Sequence, residues 1–282
     1  MRTRTIAEGV DIPVLGLGVY QVPPAQTERA ARDALDVGYR HLDTAQEYGN
    51  EAGVGAAVRA AMTQGLARED VFVTTKIFAS GRRAARRAID ESLAALDIGR
   101  IDLLLIHWPL RDSLGTWRAM EEAVAGGDVR SIGVSNFYGR RLGEILAAGG
   151  IRPAVDQVEH SVRYQQRRLR PLLDDAGIAM EAWSPLGSTG AGVLREPLLA
   201  EIAADHGATP AQVALAFQLT TGVITIPKTT RRERMVENLA AADLALTGTD
   251  LERLAALDRG RGYGWPGDPE QDYDPADYPA AL

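Results

Sequence analysis

Leu15-Gly16-Leu17-Gly18-Val19-Tyr20-Gln21-Val22-Pro23-Pro24 decides between the two α/β folds open to this chain. A doubly wound sheet would place a GxGxxG turn between its first strand and a helix. Here the third glycine is missing, and the run continues into Val-Tyr-Gln-Val-Pro-Pro instead of a helix. No such turn occurs elsewhere in the chain. Two glycines inside a short strand imply instead that something packs closely against its backbone. The stretch therefore reads as the first strand of a closed barrel.

Outward from it, short β-rich runs alternate with longer amphipathic ones. Residues 4–6 and 11–14 form a small hairpin ahead of the main fold. Strands are expected over 15–19, 39–43, 71–76, 101–107, 129–134, 154–159, 178–183 and 223–226. Helices are expected over 27–37 behind a Thr27 cap, then 51–63, 82–96, 114–125, 139–148, 167–175, 197–205, 210–220 and 231–241. A further helix is expected over 251–257, with Thr249 and Asp250 at its start, and the tail after Gly260 reads as loop. Eight strands, each backed by a helix, predict a (β/α)8 TIM barrel with a short N-terminal hairpin and an extra C-terminal helix and tail. One barrel domain over residues 1–282 is the expected organisation.

Composition narrows the chemistry. The chain of 282 residues is 45% hydrophobic and 24% charged, which is ordinary for a soluble protein. It has no cysteine, so thiol nucleophiles, disulfides and thiolate metal sites are excluded. The net charge of −7 disfavours non-specific nucleic-acid binding but allows a local basic pocket. No run approaches the roughly 20 apolar residues of a membrane span, and the first residues lack the apolar core of a secretory leader. A cytoplasmic location with no membrane or nucleic-acid partner is expected. His41, His107, His160 and His206 show no metal-binding spacing, so no metal is expected.

Residues 38–50, GYRHLDTAQEYGN, carry the most pointed chemistry. The second strand ends at Asp43, the third at Lys76 and the fourth at His107, and Tyr48 follows on the loop after the second. Ends of parallel strands meet on one face of a barrel, the face where barrel enzymes keep their active sites. A tyrosine hydroxyl, with an ordinary pKa of about 10, becomes a better acid beside a cation. Lys76 is that cation, and an ammonium ending an apolar strand wants a partner, for which Asp43 is placed. A neutral His107 could donate an N–H to a substrate oxygen. This set donates a proton to an oxygen; reducing a carbonyl also needs a hydride, which a nicotinamide can carry and a side chain cannot.

After the eighth strand, Ile226-Pro227-Lys228-Thr229-Thr230-Arg231-Arg232-Glu233-Arg234 gathers four cations and two hydroxyls at a helix start. Cations are unfavourable there unless an anion offsets them, so a bound phosphate is expected. Arg82, Arg83, Arg86 and Arg87 with Asp90 and Glu91 read as a solvated, charge-paired helix face. Ser135, Asn136, Gln157, Trp183 and Ser184 follow strands five to seven; singly each reads equally well as a turn or packing residue.

The run of motifs GLGVYQVPP, GYRHLDTAQEYGNE, TTKIF, DLLLIHWP, VRSIGVSNF, DQVE, WSPLG, TPAQVAL and IPKTTRRERMVENL resembles the aldo-keto reductase family. The likeness is continuous over about residues 14–258, and it is nearest to the bacterial 2,5-diketo-D-gluconate reductase group. The resemblance implies a monomeric barrel that reduces an aldehyde or ketone with NADPH, cofactor binding first. It implies Tyr48 as general acid, Lys76 as its pKa-lowering neighbour, Asp43 paired to that lysine and His107 orienting the carbonyl. Ser135, Asn136 and Gln157 would meet the nicotinamide carboxamide, with Trp183 stacked on the ring. Ser184, Leu186 and Gly187 would follow the pyrophosphate. Lys228, Thr229 and Arg234 would hold the 2′-phosphate, with Glu237 and Asn238 on the adenine.

Departures from the family pattern fall around the substrate. The run Gln157-Val158-Glu159-His160-Ser161-Val162 loses the histidine and proline of QxExHP, and Tyr20 and Phe78 stand where many relatives carry tryptophan. Glu47 replaces an apolar residue before Tyr48, so with Tyr20, Phe78 and Trp108 it is expected at the pocket rim. A short loop from Pro109 to Trp117 implies an open mouth; Arg111, Tyr263 and Trp265 are expected on the surface. Two other readings stand beside the reductase: a cofactor-sensing regulatory subunit on the same barrel, and a Schiff-base lyase using Lys76.

Overall fold

The computed structural model describes residues 2–188 and 192–263. The hairpin is β1 (Thr3–Ala7) and β2 (Val10–Pro13), antiparallel. The parallel strands are β3 (Leu17–Gly18), β4 (His41–Asp43), β5 (Phe72–Ile77), β6 (Ile101–Ile106), β7 (Val129–Ser135), β8 (Val155–Glu159), β9 (Ala179–Trp183) and β10 (Ile224–Thr225). These eight neighbour one another in chain order. The ring closes where β3 meets β10: Gly16 N–H donates to Thr225 O at 2.9 Å, and Thr225 N–H to Val14 O at 2.9 Å. The expected (β/α)8 barrel with its short hairpin is the observed fold.

The two glycines of the opening stretch make room for close neighbours, one for a side chain of β4 and one for the backbone across this seam. A Cβ on Gly16 would stand 2.5 Å from His41 Nδ1, and one on Gly18 would stand 2.9 Å from Ile226 O. The seam can form only where β3 presents bare backbone.

Period-two alternation on each strand sorts residues between the barrel interior and the helical layer. On β5, Phe72, Thr74 and Lys76 share one face; on β6, Leu103 and Leu105 share a face that His107 continues. Near the starts of the strands, Phe72, Leu103, Ala154, Val155, Ala179 and Ile224 cluster with Val10 and Ile12 of the hairpin, which thus floors the barrel. One or two steps up each strand the inward residues turn polar. The helices are α1 (Pro24–Val37), α2 (Glu51–Thr63), α3 (Arg82–Leu96), α4 (Ser113–Ala125), α5 (Gly139–Ala147), α6 (Leu169–Ala176), α7 (Pro197–Asp205), α8 (Pro210–Thr220), α9 (Arg232–Ala240) and α10 (Gly248–Ala255). Their apolar faces cover the outward strand residues, with Ile77, Leu104, Ile132 and Trp117 fully buried between the layers. Each such side chain contributes roughly 1.5–3 kcal/mol by leaving water.

Two helix starts come three residues earlier than expected. α1 begins a turn early, with Pro24 in its first turn, where its missing N–H costs nothing. Thr27 is already inside the helix, its hydroxyl donating back to Pro23 O at 3.0 Å. α10 begins at Gly248 under a capping box formed by Thr247 and Asp250, so Thr249 lies inside the helix. On α3 the charged face pairs partly across helices: Arg86 meets Asp90 and Asp128, and Arg82 meets Glu122 of α4. Of the residues expected on the surface, Trp265 lies outside the described residues, whereas Tyr263 is exposed, its backbone N–H donating to Glu159 Oε1 at 2.8 Å. Among the described residues no helix is long and apolar enough to cross a membrane.

Candidate active site

Asp43 ends β4, Lys76 lies one residue from the end of β5, and His107 follows β6 directly. Closure of the ring brings all three to one mouth. Tyr48 stands on a single 3-10 turn, Gln46–Tyr48, between β4 and α2. That turn is anchored by Asn50, whose Oδ1 accepts from Thr44 Oγ1 at 2.6 Å and whose Nδ2 donates to Val19 O and Val22 O. Loops from two strand ends are thereby locked together behind the tyrosine.

Lys76 is 1% exposed, and its Nζ donates to Asp43 Oδ1 at 2.7 Å and to Thr44 O at 2.9 Å. The same nitrogen lies 5.1 Å from the centroid of the Tyr48 ring. Burial works against the ammonium, but Asp43, Tyr48 and Glu181 outweigh it and raise its pKa above the ordinary lysine value. Lys76 stays charged.

For Tyr48 the balance runs the other way. Burial pushes its pKa up to about 12, although Lys76 pulls it down. Lys76 acts on Tyr48 in the expected direction, but desolvation is the larger effect, and the phenol is protonated at neutral pH. Such a group suits proton donation, since an alkoxide forming on a substrate is a far stronger base than phenolate.

Glu181, on β9, is a member of the cluster that no motif announced. Gln157 Nε2 donates both to Asp43 Oδ2 at 2.8 Å and to Glu181 Oε2 at 2.9 Å. Burial first, then the charge of Asp43, push the Glu181 carboxyl up to about 8, so it holds a proton at neutral pH. Lys76 then faces one carboxylate rather than two. The available signal was a lone glutamate at an inward position of Ala179-Met180-Glu181-Ala182-Trp183. His41, below this layer, donates to or accepts from Thr74 Oγ1 at 3.1 Å; burial lowers its pKa to about 4, so it is neutral.

His107 packs edge-on to Tyr48, ring centroids 5.6 Å apart, and its Nδ1 lies 3.0 Å from Glu47 Oε2. Burial lowers its pKa, against the pull of the Glu47 hydrogen bond. Tyr20 leans on the other side of Tyr48, centroids 5.0 Å apart, and is 43% exposed. Glu47 is exposed, Trp108 is half-buried, and Phe78 is half-buried against the helical-layer core.

The residues expected near a nicotinamide form a linked set. Asn136, at φ 62°, donates from Nδ2 to Ser135 Oγ and His107 O, while its Oδ1 accepts from Trp183 Nε1 at 2.9 Å. This fixes the Trp183 ring at the barrel mouth. Ser135 Oγ donates to Gln157 O at 2.8 Å, and with both Nε2 protons of Gln157 spent on carboxyl oxygens, its Oε1 is the end left for a ligand. Ser184 (φ 51°) and Gly187 (φ 83°) shape a tight turn after β9, and Leu186 is half-buried within it.

Around the start of α9, Lys228, Arg231 and Arg234 are exposed and make no ion pair with a described residue, whereas Arg232 turns to Asp33 and Asp36. Thr229 is buried, its Oγ1 accepting from Arg231 N–H at 3.1 Å. Glu237 accepts from Thr209 Oγ1 at 2.6 Å, and Asn238 is buried beside Tyr39. Three uncompensated cations at a helix N-terminus, a braced tryptophan and a free amide oxygen fit a phosphorylated nicotinamide nucleotide. Among the described residues no group of His, Asp and Glu is placed to hold a metal. A surface cleft lined by Arg167, Arg170, Asp174 and Thr221 shares no residue with the mouth.

Comparison with known proteins agrees with this fold. Residues 14–259 match the model of the aldo/keto reductase family. An aldo-keto reductase of Mycolicibacterium smegmatis is 41% identical, covering 92% of this chain and 94% of the relative. Methylglyoxal reductase DkgA of Salmonella typhimurium is 37% identical, covering 94% and 96%. The crystal structure of an aldo/keto reductase from Brucella melitensis superposes with a TM-score of 0.86 at 40% identity, covering 91% of this chain and 98% of that one.

Proposed function

The chain belongs to the aldo/keto reductase family, and on that premise we propose an NADPH-dependent reductase that converts an aldehyde or ketone to the alcohol, with Tyr48 as proton donor. Oxidoreductase chemistry on small carbonyl compounds, with a nicotinamide cofactor, comes with the family. NADPH, the acid and the substrate class are our reading. The observation that carries it is Lys76: a fully buried ammonium, held by Asp43 at 2.7 Å and in contact with a protonated phenol.

Trp183 would stack on the nicotinamide, Ser135, Asn136 and Gln157 would meet its carboxamide, and Ser184, Leu186 and Gly187 would follow the pyrophosphate. Lys228, Thr229 and Arg234 would hold the 2′-phosphate, with Glu237 and Asn238 toward the adenine. When bound, the reduced nicotinamide supplies the hydride. Tyr48 then hands its proton to the substrate oxygen, and Lys76 offsets the phenolate charge left behind, which is differential stabilisation of the charge that develops. His107 aims the carbonyl oxygen at Tyr48. A Schiff base at Lys76 is disfavoured, because imine formation needs a neutral amine and the surroundings of Lys76 keep it charged.

Tyr20, Glu47, Phe78 and Trp108 form the substrate rim in this reading. The likeness to methylglyoxal reductase DkgA supports a small dicarbonyl substrate, and the sequence motifs alone suggest the keto sugar acids of the 2,5-diketo-D-gluconate reductase group. We take the chain as one barrel domain acting as a cytoplasmic monomer. Tyr48→Phe tests the assignment. Carbonyl-dependent oxidation of NADPH, followed by absorbance, should fall about 10²- to 10⁴-fold, with NADPH still quenching tryptophan fluorescence at the wild-type concentration. Substantial turnover by the variant would remove Tyr48 from the role.

A further inference from the structure

Glu47 stands one residue before Tyr48, and its carboxylate reaches His107. The buried Nδ1 of His107 lies 3.0 Å from Glu47 Oε2, an ion-pair distance reached at an angle short of a full hydrogen bond, and bonds no other group among the described residues. His107 keeps 8% exposure although Nδ1 is buried, and Nε2 bonds no described residue, so Nε2 is the edge left for a substrate oxygen.

An ionised carboxylate can only accept a hydrogen bond, so the nitrogen facing it must carry a proton. In a neutral imidazole that proton is the ring's only one, and Nε2 is then a bare acceptor. Nε2 can donate to a carbonyl oxygen only if the ring is doubly protonated. Resting on the carbonyl-reductase reading above, we propose that Glu47 is a positioning residue that pins the His107 proton on Nδ1, so that His107 orients a carbonyl as imidazolium and an alcohol as neutral imidazole.

The charged and titratable groups facing His107 are Glu47 on the adjoining turn, Lys76 on β5, Asp43 on β4 and the Tyr48 phenol. Burial and Lys76 oppose the second proton, while Glu47 and Asp43 favour it. The ring therefore titrates below its ordinary range of about 6.5. Carbonyl reduction should be best in mild acid, and kcat/KM should fall about tenfold per pH unit above the His107 pKa until neutral-ring turnover takes over. Alcohol oxidation should hold or rise over the same range. A side-chain amide at position 47 can donate to Nδ1, which moves the single ring proton to Nε2 and makes the neutral ring a carbonyl donor.

The experiment uses Glu47→Gln, with Glu47→Ala as a second variant. The cofactor-free protein, labelled with nitrogen-15 and with His107 assigned through His107→Gln, is read by imidazole tautomer NMR at neutral pH. Wild type should show the Nδ1–H tautomer and E47Q the Nε2–H tautomer. In turnover, the fall of kcat/KM with pH should flatten in E47Q and E47A. An Nε2–H tautomer in the wild type, or pH profiles unchanged by both substitutions, overturns the inference. A wild-type protein that reduces no carbonyl with NADPH defeats the underlying reading instead, and the tautomer measurement separates the two failures.

Discussion

Lys76 keeps a full charge at a depth where an unpartnered ammonium would give up its proton. Its retention depends on Asp43, and Asp43 in turn is shared with Gln157 and, through it, with Glu181. Removing the cation strands a buried carboxylate. Lys76→Met should therefore cost about 3–5 kcal/mol in urea unfolding at neutral pH. Adding Asp43→Asn should return part of that loss, because the stranded charge is then gone; simply additive losses in the double-mutant cycle would show that the pair is not coupled. The four ionisable residues were legible because each ends a strand or follows one by a few residues. Glu181 was not, because nothing in Ala179–Trp183 says that its neighbour across the interior is another carboxyl.

At the scale of elements, α9 is the informative one. Its first turn carries cations where the helix dipole disfavours them, and Arg231, Arg234 and the preceding Lys228 find no carboxylate among the described residues. A bound 2′-phosphate would resolve that conflict. Arg234→Gln should then weaken NADPH about ten- to a hundredfold in fluorescence titration, as expected for a lost charge-assisted hydrogen bond. NADH affinity should stay near its wild-type value. Equal weakening of both cofactors would place the arginine elsewhere on the nucleotide. Helices α2, α3, α7 and α8 have the bounds their apolar periodicity implies. α1 and α10 do not, because several cap-forming residues stand close together there. Pro24 begins α1 before Thr27 is reached, and Thr247 rather than Thr249 forms the reciprocal box with Asp250.

The barrel interior resists charge of either sign that lacks a partner. His41 and His160 are fully buried, and desolvation lowers each to about 4. An unfolded histidine titrates at about 6.5. Between those values the unfolded chain takes up protons that the folded chain refuses, so this contribution is complete above about pH 6.5 and is lost as pH falls toward about 4. Each histidine is worth on the order of 3 kcal/mol across that window. Glu181, raised to about 8, has the opposite sign: its burial costs stability as pH rises from the ordinary carboxyl range through 8. Because the two trends oppose, the histidine effect is best read as a difference. The stability gap between wild type and His160→Gln, from urea unfolding at stepped pH, should shift against the wild type by about 3 kcal/mol from pH 6.5 down to 4. A gap independent of pH would mean that His160 is protonated as readily folded as unfolded.

The alternation of strands and helices, the missing third glycine after Gly18, and the polar strand ends at Asp43, Lys76 and His107 were all decided by local pattern, because periodicity states which face a residue takes. Periodicity does not state what it meets there. Gln157 reaches Asp43 from 114 positions away, and Glu47 reaches His107 only because the turn before α2 folds over the end of β6. The balance of charge in the mouth was likewise a tertiary matter: Tyr48 is governed first by desolvation and only second by its lysine. Burial depends on everything packed around a group, and only the closed barrel defines those surroundings.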